Sequence, residues 1–79
     1  MIDLDSPIAW TSLPSRVRSA LIRHDIQTVG NLSDRWLEVY HGDVRGIGRK
    51  GVAQVYAFLT DATGTSPQLV DGLAWWDVP

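Results

Sequence analysis

The sequence predicts an all-α fold, a compact bundle of four to five short helices. Apolar residues recur at intervals of three and four in three separate stretches, which is the period of a helix with one buried face. The β-like runs between these stretches are too short to build a sheet. At 79 residues the chain is expected to form a single small domain, residues 1–79, which buries about 60% of the surface of its unfolded state.

The first predicted helix begins near Leu13 and Pro14, after an irregular N-terminal arm at residues 1–11. Proline suits the first turn of a helix, and Ser12 is a candidate N-cap. A turn at His24 should end the helix. Its expected buried face consists of Leu13, Val17, Ala20 and Leu21.

The second predicted helix covers residues 29–40. We expect Thr28 to cap it, because a threonine oxygen can accept a hydrogen bond from the free amides of a helix N-terminus. Ile26 and Val29 should be buried at the connection that precedes it. The expected inner face consists of Leu32, Trp36, Leu37 and Tyr40.

A tight hairpin that becomes a third helix is predicted at residues 44–55, with the helix covering residues 49–61. Gly46 and Gly48 allow positive φ and close approach of a partner. The first amides of a helix have no partner within it, and the helix dipole is positive there. With Arg49 and Lys50 beside them, these amides fit a phosphate site. In isolation, the same pattern is equally typical of a simple turn with a solvated corner. The apolar face of this helix consists of Val52, Val55, Tyr56 and Leu59.

The helical core is expected at residues 12–62, with a tail at residues 63–79 packed on it. The tail is rich in apolar residues, and exposed tryptophans would form an adhesive patch. Three of the four tryptophans should therefore lie in or over the core, and Ile8 and Trp10 should fold back onto it. One of Trp75 and Trp76 is expected to be exposed as a partner contact. The apolar tail residues are Leu69, Val70, Leu73, Trp75 and Trp76.

Charge is distributed unevenly along the chain. All seven Lys and Arg residues lie between Arg16 and Lys50 with four acids, giving +3, whereas the flanks hold five acids and no cation. This asymmetry suggests one surface that faces a polyanion, although the net charge of −2 argues weakly against nucleic acid. Within the first helix, Arg16, Ser19 and Arg23 share one face because their spacing is three and four. Any nonspecific affinity should be weak and sensitive to salt.

Several classes of function are not expected. The chain has no cysteine, so it has neither disulfides nor a thiolate metal site, which fits a reducing cytosol. No apolar run approaches the roughly 18 residues of a membrane span. His24 and His41 lack partners at metal-ligand spacing, and no catalytic arrangement of Ser, His and carboxylates stands out. We expect that the protein is not an enzyme, that it binds no metal, cofactor or small-molecule substrate, and that it does not contact a membrane.

Three segments together resemble the C-terminal domain of the bacterial RNA polymerase alpha subunit. They read Leu-Pro-Ser-Arg from residue 13 (followed by Leu21), Ile-Gln-Thr-Val-Gly-Asn-Leu from residue 26, and Gly-Ile-Gly-Arg-Lys-Gly-Val from residue 46. The likeness spans residues 8–79, and the spacing between the last two segments is one residue longer here. Leu73, Trp76 and Pro79 are similar to the end of the family. The resemblance implies a bundle of short helices that contains a helix-hairpin-helix element.

The resemblance also implies a function, which is binding of double-stranded DNA in the minor groove at AT-rich sites and contact with transcription activators. Arg16 matches the family arginine that enters the minor groove. Gly48 matches the hairpin glycine, and Lys50 matches the lysine that binds phosphate. The family also has three helper residues, Asn, Ser and Glu, which are replaced here by Ser19, Gly51 and Gln54.

The leading hypothesis is a DNA-binding transcription module, located in the bacterial cytoplasm at the nucleoid. The alternative is a protein-interaction module of phage or mobile-element origin, which mimics the polymerase domain and binds a transcription regulator, sigma factor or RNA polymerase. A third is an accessory domain of a repair or recombination protein. Because the sequence lacks the family's assembly domain, we expect an excised domain or a free-standing homologue. Arg45 is not among the expected DNA contacts, which are Arg16, Ser19, Arg23, Gly46, Gly48, Arg49, Lys50, Gly51 and Gln54.

Overall fold

Helices account for the regular structure in the computed structural model, which describes residues 4–69 and residue 76. Within these residues no strand forms, which confirms the all-α class, and the radius of gyration is 11.4 Å. A compact chain of this length is expected near 12 Å. No helix in the described ranges is long and apolar enough to cross a membrane. The elements are a 3₁₀ helix at Ile8–Trp10, α1 at Ser15–Arg23, α2 at Val29–Asp34, α3 at Trp36–Tyr40 and α4 at Arg49–Thr63.

Helix α1 begins directly after Pro14, which has extended backbone angles (φ −56°, ψ 146°) and is the N-cap residue. The candidate N-cap Ser12 does not cap this helix, because no side chain makes a capping hydrogen bond there. The helix ends at His24 as predicted, and Asp25 then turns the chain with a φ of 64°. The predicted buried face is confirmed at Leu13, Val17, Ala20 and Leu21.

Thr28 caps the next helix as predicted, since its Oγ1 accepts a hydrogen bond of 3.1 Å from the amide of Asn31. Ile26 and Val29 are fully buried beside it, which confirms the expected hydrophobic connection. The single helix predicted for residues 29–40 is wrong, however. Arg35, with φ −107° and ψ 20°, divides it into α2 and α3.

The break at Arg35 changes which residues of α3 point inward. Trp36, Val39 and Tyr40 are buried, whereas Leu37, expected on the inner face, is 41% exposed. These three buried residues follow the three-and-four spacing of a helix that starts anew at Trp36. The prediction for Leu37 is therefore wrong because it extended the periodicity of α2 across the break.

Residues 41–48 form the connection between α3 and α4. Gly46 takes a positive φ of 88°, whereas Gly48 is extended, with φ −86° and ψ −174°. Helix α4 begins at Arg49 as predicted and ends two residues later than expected, before the left-handed Gly64. On its inner face Val52, Val55 and Leu59 are buried, and Tyr56 is half-buried.

The N-terminal arm runs beside the connection from α1 to α2. The amide of Ile8 donates to the carbonyl of Gln27 at 2.8 Å, and the amide of Gly30 donates to the carbonyl of Leu4 at 2.7 Å. Ile8 is fully buried, as predicted. Trp10 is 84% exposed, so the expectation that it folds onto the core is wrong. The hydrogen bonds of the arm fix Ile8 inside, and the 3₁₀ turn leaves Trp10 outside.

Trp76 lies in an aromatic cluster with three rings from α3 and α4. Its ring centroid is 6.0 Å from that of Trp36, 6.1 Å from that of Tyr40 and 5.3 Å from that of Tyr56. Trp76 is only 7% exposed, so it belongs to the core. The predictions for Val70, Leu73, Trp75 and Pro79 concern residues outside the described ranges.

Candidate functional site

One groove of about 620 Å³ is bordered by α1, by the connection between α3 and α4, and by the start of α4. We call it the hairpin groove. Arg16 lines it from α1 and Lys50 lines it from α4. It brings together six of the predicted contact residues, namely Arg16, Gly46, Gly48, Lys50, Gly51 and Gln54.

Gly51 allows this groove to form because it leaves room for its neighbours. A Cβ atom at this position would lie 2.8 Å from Cγ2 of Ile47 and 3.4 Å from Cγ2 of Val17. A contact under 3.0 Å forces the neighbouring atoms to move. The side chains of both neighbours, Ile47 and Val17, branch close to their backbones. The absence of a side chain on Gly51 thus permits the connection, the first turn of α4 and α1 to meet.

Gly46 fixes the connection against α1 in a second way. Its φ of 88° lies in the left-handed region that glycine adopts readily. A Cβ atom there would lie 3.3 Å from the Cβ of Ala20. Ala20 is one helical turn after Arg16 and one turn before Arg23, so the connection crosses α1 between these two arginines.

The N-terminus of α4 opens at the hairpin groove. The amide of Val52 donates to the carbonyl of Gly48 at 2.9 Å, and no side chain caps the helix. The amides of the three preceding residues, 49 to 51, have no partner inside the helix. They lie next to the exposed Lys50, so free donors and a cation occur together.

Three of the seven basic residues bind carbonyl groups of the chain itself. Arg18 Nη1 donates to Ala9 O at 3.0 Å. Arg35 Nη1 donates to the carbonyl of His24 at 3.1 Å. The Nε of Arg49 donates to the carbonyl of Trp76 at 2.6 Å. Arg49 was predicted as a phosphate contact, but it does not line the hairpin groove and binds Trp76 instead.

The other four basic residues are exposed, and no ion pair or hydrogen bond joins them to the part of the chain that the structure describes. They are Arg16, Arg23, Arg45 and Lys50. Arg23 and Arg45 line a second groove of about 460 Å³, which we call the Arg23 groove. Gly46 lines both grooves, so they adjoin at this residue.

Arg45, which was not among the predicted contacts, lines the Arg23 groove, whereas Ser19 lies apart from the residues with which it was predicted. Arg45 immediately precedes Gly46, and this position in the connection was the one available signal. Ser19 lines a depression with Arg18 and Ile22, away from the hairpin groove. The shared face predicted for α1 thus borders several different surface features.

Glu38 is the centre of an ionic cluster behind the Arg23 groove. Arg35 Nε donates to its Oε2 at 2.8 Å, and His24 Nε2 is hydrogen-bonded to its Oε1 at 3.1 Å. The bond from Arg35 and then the bond with His24 lower the pKa of the Glu38 carboxyl to about 2. The cluster joins α3 to the end of α1. Among the described side chains, no three metal-ligating groups converge.

No protein-family model, curated protein or solved structure matches this chain. The two grooves around Gly46 are therefore interpreted from their own residues.

Proposed function

We propose that this chain is a DNA-binding module of transcription, which holds the phosphate backbone at the hairpin groove and places Arg16 in an AT-rich minor groove. The observation that carries the proposal is that Arg16 and Lys50, from helices far apart in the sequence, line the same groove. Neither side chain has an ionic partner among the described residues.

The start of α4 supports the binding of phosphate. The free amides and the positive end of the helix dipole favour an anion at this position. Gly48 leaves open space where a side chain would project, since no atom lies within 4 Å of its Cβ position. A phosphate oxygen can therefore approach the backbone closely, while Lys50 contributes charge without reading sequence.

Arg16 supports the preference for AT-rich DNA. The minor groove of an A-tract is narrow and its negative potential is enhanced, which attracts an inserted arginine. Arg16 is exposed on α1 and borders the hairpin groove. Its guanidinium group can thus enter the minor groove while Lys50 stays on the backbone.

The proposal includes kinship with the C-terminal domain of the polymerase alpha subunit. In this interpretation α3, the connection and α4 form the helix-hairpin-helix, and a regulator, sigma factor or polymerase is the protein partner. The replacement of the family serine by Gly51 also has a physical explanation in this chain, because a Cβ at this position would collide with Ile47.

The experiment is a titration of labelled AT-rich and GC-rich duplexes with the protein at low and moderate salt. The wild-type chain should prefer the AT-rich duplex and lose affinity as salt rises. Arg16→Ala should weaken binding to the AT-rich duplex about tenfold, or about 1.4 kcal/mol, and reduce the preference.

The control for this titration is Ser66→Glu, which adds a negative charge beyond the far end of α4. Helix α4 is about 22 Å long, so this variant should bind like the wild type. Equal affinities of Arg16→Ala and wild type would show that the minor-groove assignment is wrong.

A protein-interaction module is the second candidate function, and the 84% exposure of Trp10 favours it. Tryptophan is among the residues that dominate binding energy at protein interfaces. If this is the function, the wild type binds no duplex even at low salt, and a regulator or polymerase subunit co-purifies with it. Trp10→Ala should then abolish the co-purification.

A further inference from the structure

We propose that the Arg23 groove binds a second phosphate of the same DNA strand, through Arg23 and Arg45. The inference rests on the proposed function and extends the contact surface across Gly46. Residues from two different elements create this site, since Arg23 closes α1 and Arg45 belongs to the connection.

Two unpaired arginines that border one groove repel each other, and a bound anion relieves this repulsion. Both side chains are exposed, and neither is held by a described residue. Three other arginines of this protein are bound to backbone carbonyls. Arg23 and Arg45 therefore keep their guanidinium groups available for a ligand.

Arg35 and His24 bind several negative groups near the Arg23 groove. The carbonyls of His24 and Asp25, which follow α1, would repel a phosphate, but Arg35 donates to them at 3.1 Å and 3.2 Å. The Glu38 carboxylate is bound to Arg35 and His24. Asp43 is the one acid among the residues that line the groove, and Arg23 and Arg45 line it as well.

The spacing of Arg16 and Arg23 along α1 fits two positions a few nucleotides apart on one DNA strand. Arg16 and Arg23 are two turns apart on one face, which is about 10 Å along the helix axis. A DNA strand rises about 3.4 Å per nucleotide along the duplex axis, so a distance of this size along that axis corresponds to about three nucleotides. Gly46, which has no side chain, borders both grooves.

The test measures the dependence of duplex affinity on salt concentration for the wild type, Arg23→Gln, Arg45→Gln and the double variant. Each lost phosphate contact should reduce the slope of log affinity against log salt by about 0.9. The preference for AT-rich duplex should persist, because Arg16 is unchanged. Ser66→Glu, which alters the charge by the same amount elsewhere, should keep the wild-type slope.

Neutral methylphosphonate groups then locate the contact on the DNA. The substitution that weakens the wild type but not Lys50→Ala marks the first phosphate. A substitution at a second phosphate of the same strand should weaken the wild type and leave the double variant unaffected. Wild-type binding with an unchanged slope in the double variant would overturn this inference alone. Absence of any duplex binding by the wild type would overturn both proposals.

Discussion

Gly51 in the first turn of α4 lies so close to Ile47 that a Cβ atom on the glycine would sit 2.8 Å from the isoleucine Cγ2. Ile47 is almost fully buried, at 9% exposure, so its methyl group has little room to move. Glycine is a poor helix former and costs about 1 kcal/mol relative to alanine. Helix α4 has this cost at Gly51, which lines the hairpin groove.

Gly51→Ala should therefore destabilise the protein. The gain in helix propensity is about 1 kcal/mol, whereas overpacking a core contact costs about 1–3 kcal/mol. We expect a net loss of about 1 kcal/mol in the free energy of unfolding, measured with urea. Gly48→Ala is the matched control, because its Cβ meets no atom within 4 Å. A Gly51→Ala protein more stable than Gly48→Ala would disprove the packing role.

Gly46→Ala should lower both stability and DNA affinity. The left-handed conformation costs a non-glycine residue about 1–2 kcal/mol, and the new methyl group would also press on Ala20 at 3.3 Å. Gly42 has a similar φ of 79° but open space around it, so Gly42→Ala should show the backbone cost alone. Equal losses of stability and affinity in the two variants would mean that contact with Ala20 does not position the connection.

Trp76→Ala should remove a large part of the core. Replacing a buried tryptophan by alanine costs about 3–5 kcal/mol, and Trp76 packs against the rings of Trp36, Tyr40 and Tyr56. Loss of the near-ultraviolet circular dichroism signal should accompany the lower melting temperature. Trp10→Ala, at a site 84% exposed, should change stability by less than about 0.5 kcal/mol. Similar effects of the two substitutions would contradict the buried position of Trp76.

Glu38 should contribute stability that depends on pH. Hydrogen bonds from Arg35 and His24 lower the pKa of its carboxyl from 4.5 to about 2 in the folded protein. A depressed pKa stabilises the folded state fully above pH 4.5, and this contribution disappears as the pH falls from 4.5 towards 2. Glu38→Gln should therefore lose less stability than the wild type over this interval.

Urea unfolding at several pH values measures this difference. Asp61→Asn, which removes an exposed carboxylate from α4, should retain the acid-dependent loss of the wild type. Parallel curves for Glu38→Gln and the wild type between pH 4.5 and 2 would show that the cluster does not stabilise the fold.

Features that depend on local chemistry could be predicted from the sequence. Thr28 was recognised as a cap because its hydroxyl precedes a run with helical periodicity, and the start of α4 followed from the change of pattern after Gly48. The convergence of Arg16 and Lys50 on one surface was also expected. For the cap and the start of α4, a spacing of a few residues determines the geometry, whereas the convergence of Arg16 and Lys50 was expected from the charge distribution and the family resemblance.

Features that depend on distant contacts could not be predicted. Nothing near Arg35 in the sequence reveals that its guanidinium reaches the carbonyls of His24 and Asp25. The predicted second helix is broken at Arg35 itself. Similarly, the bond from Arg49 to the carbonyl of Trp76 depends on the path of the tail. Periodicity indicates which face of a helix is buried, but it does not show where a long polar side chain ends.

A nuclear magnetic resonance titration of the isotope-labelled protein with an AT-rich duplex at low salt tests the central proposal most directly. The amides of Gly46, Gly48 and Lys50 and the side chain of Arg16 should show the largest shift changes, while Ser66 beyond the far end of α4 stays unchanged. Shift changes centred on Trp10, or none at any DNA concentration, would contradict the proposal that the hairpin groove binds DNA.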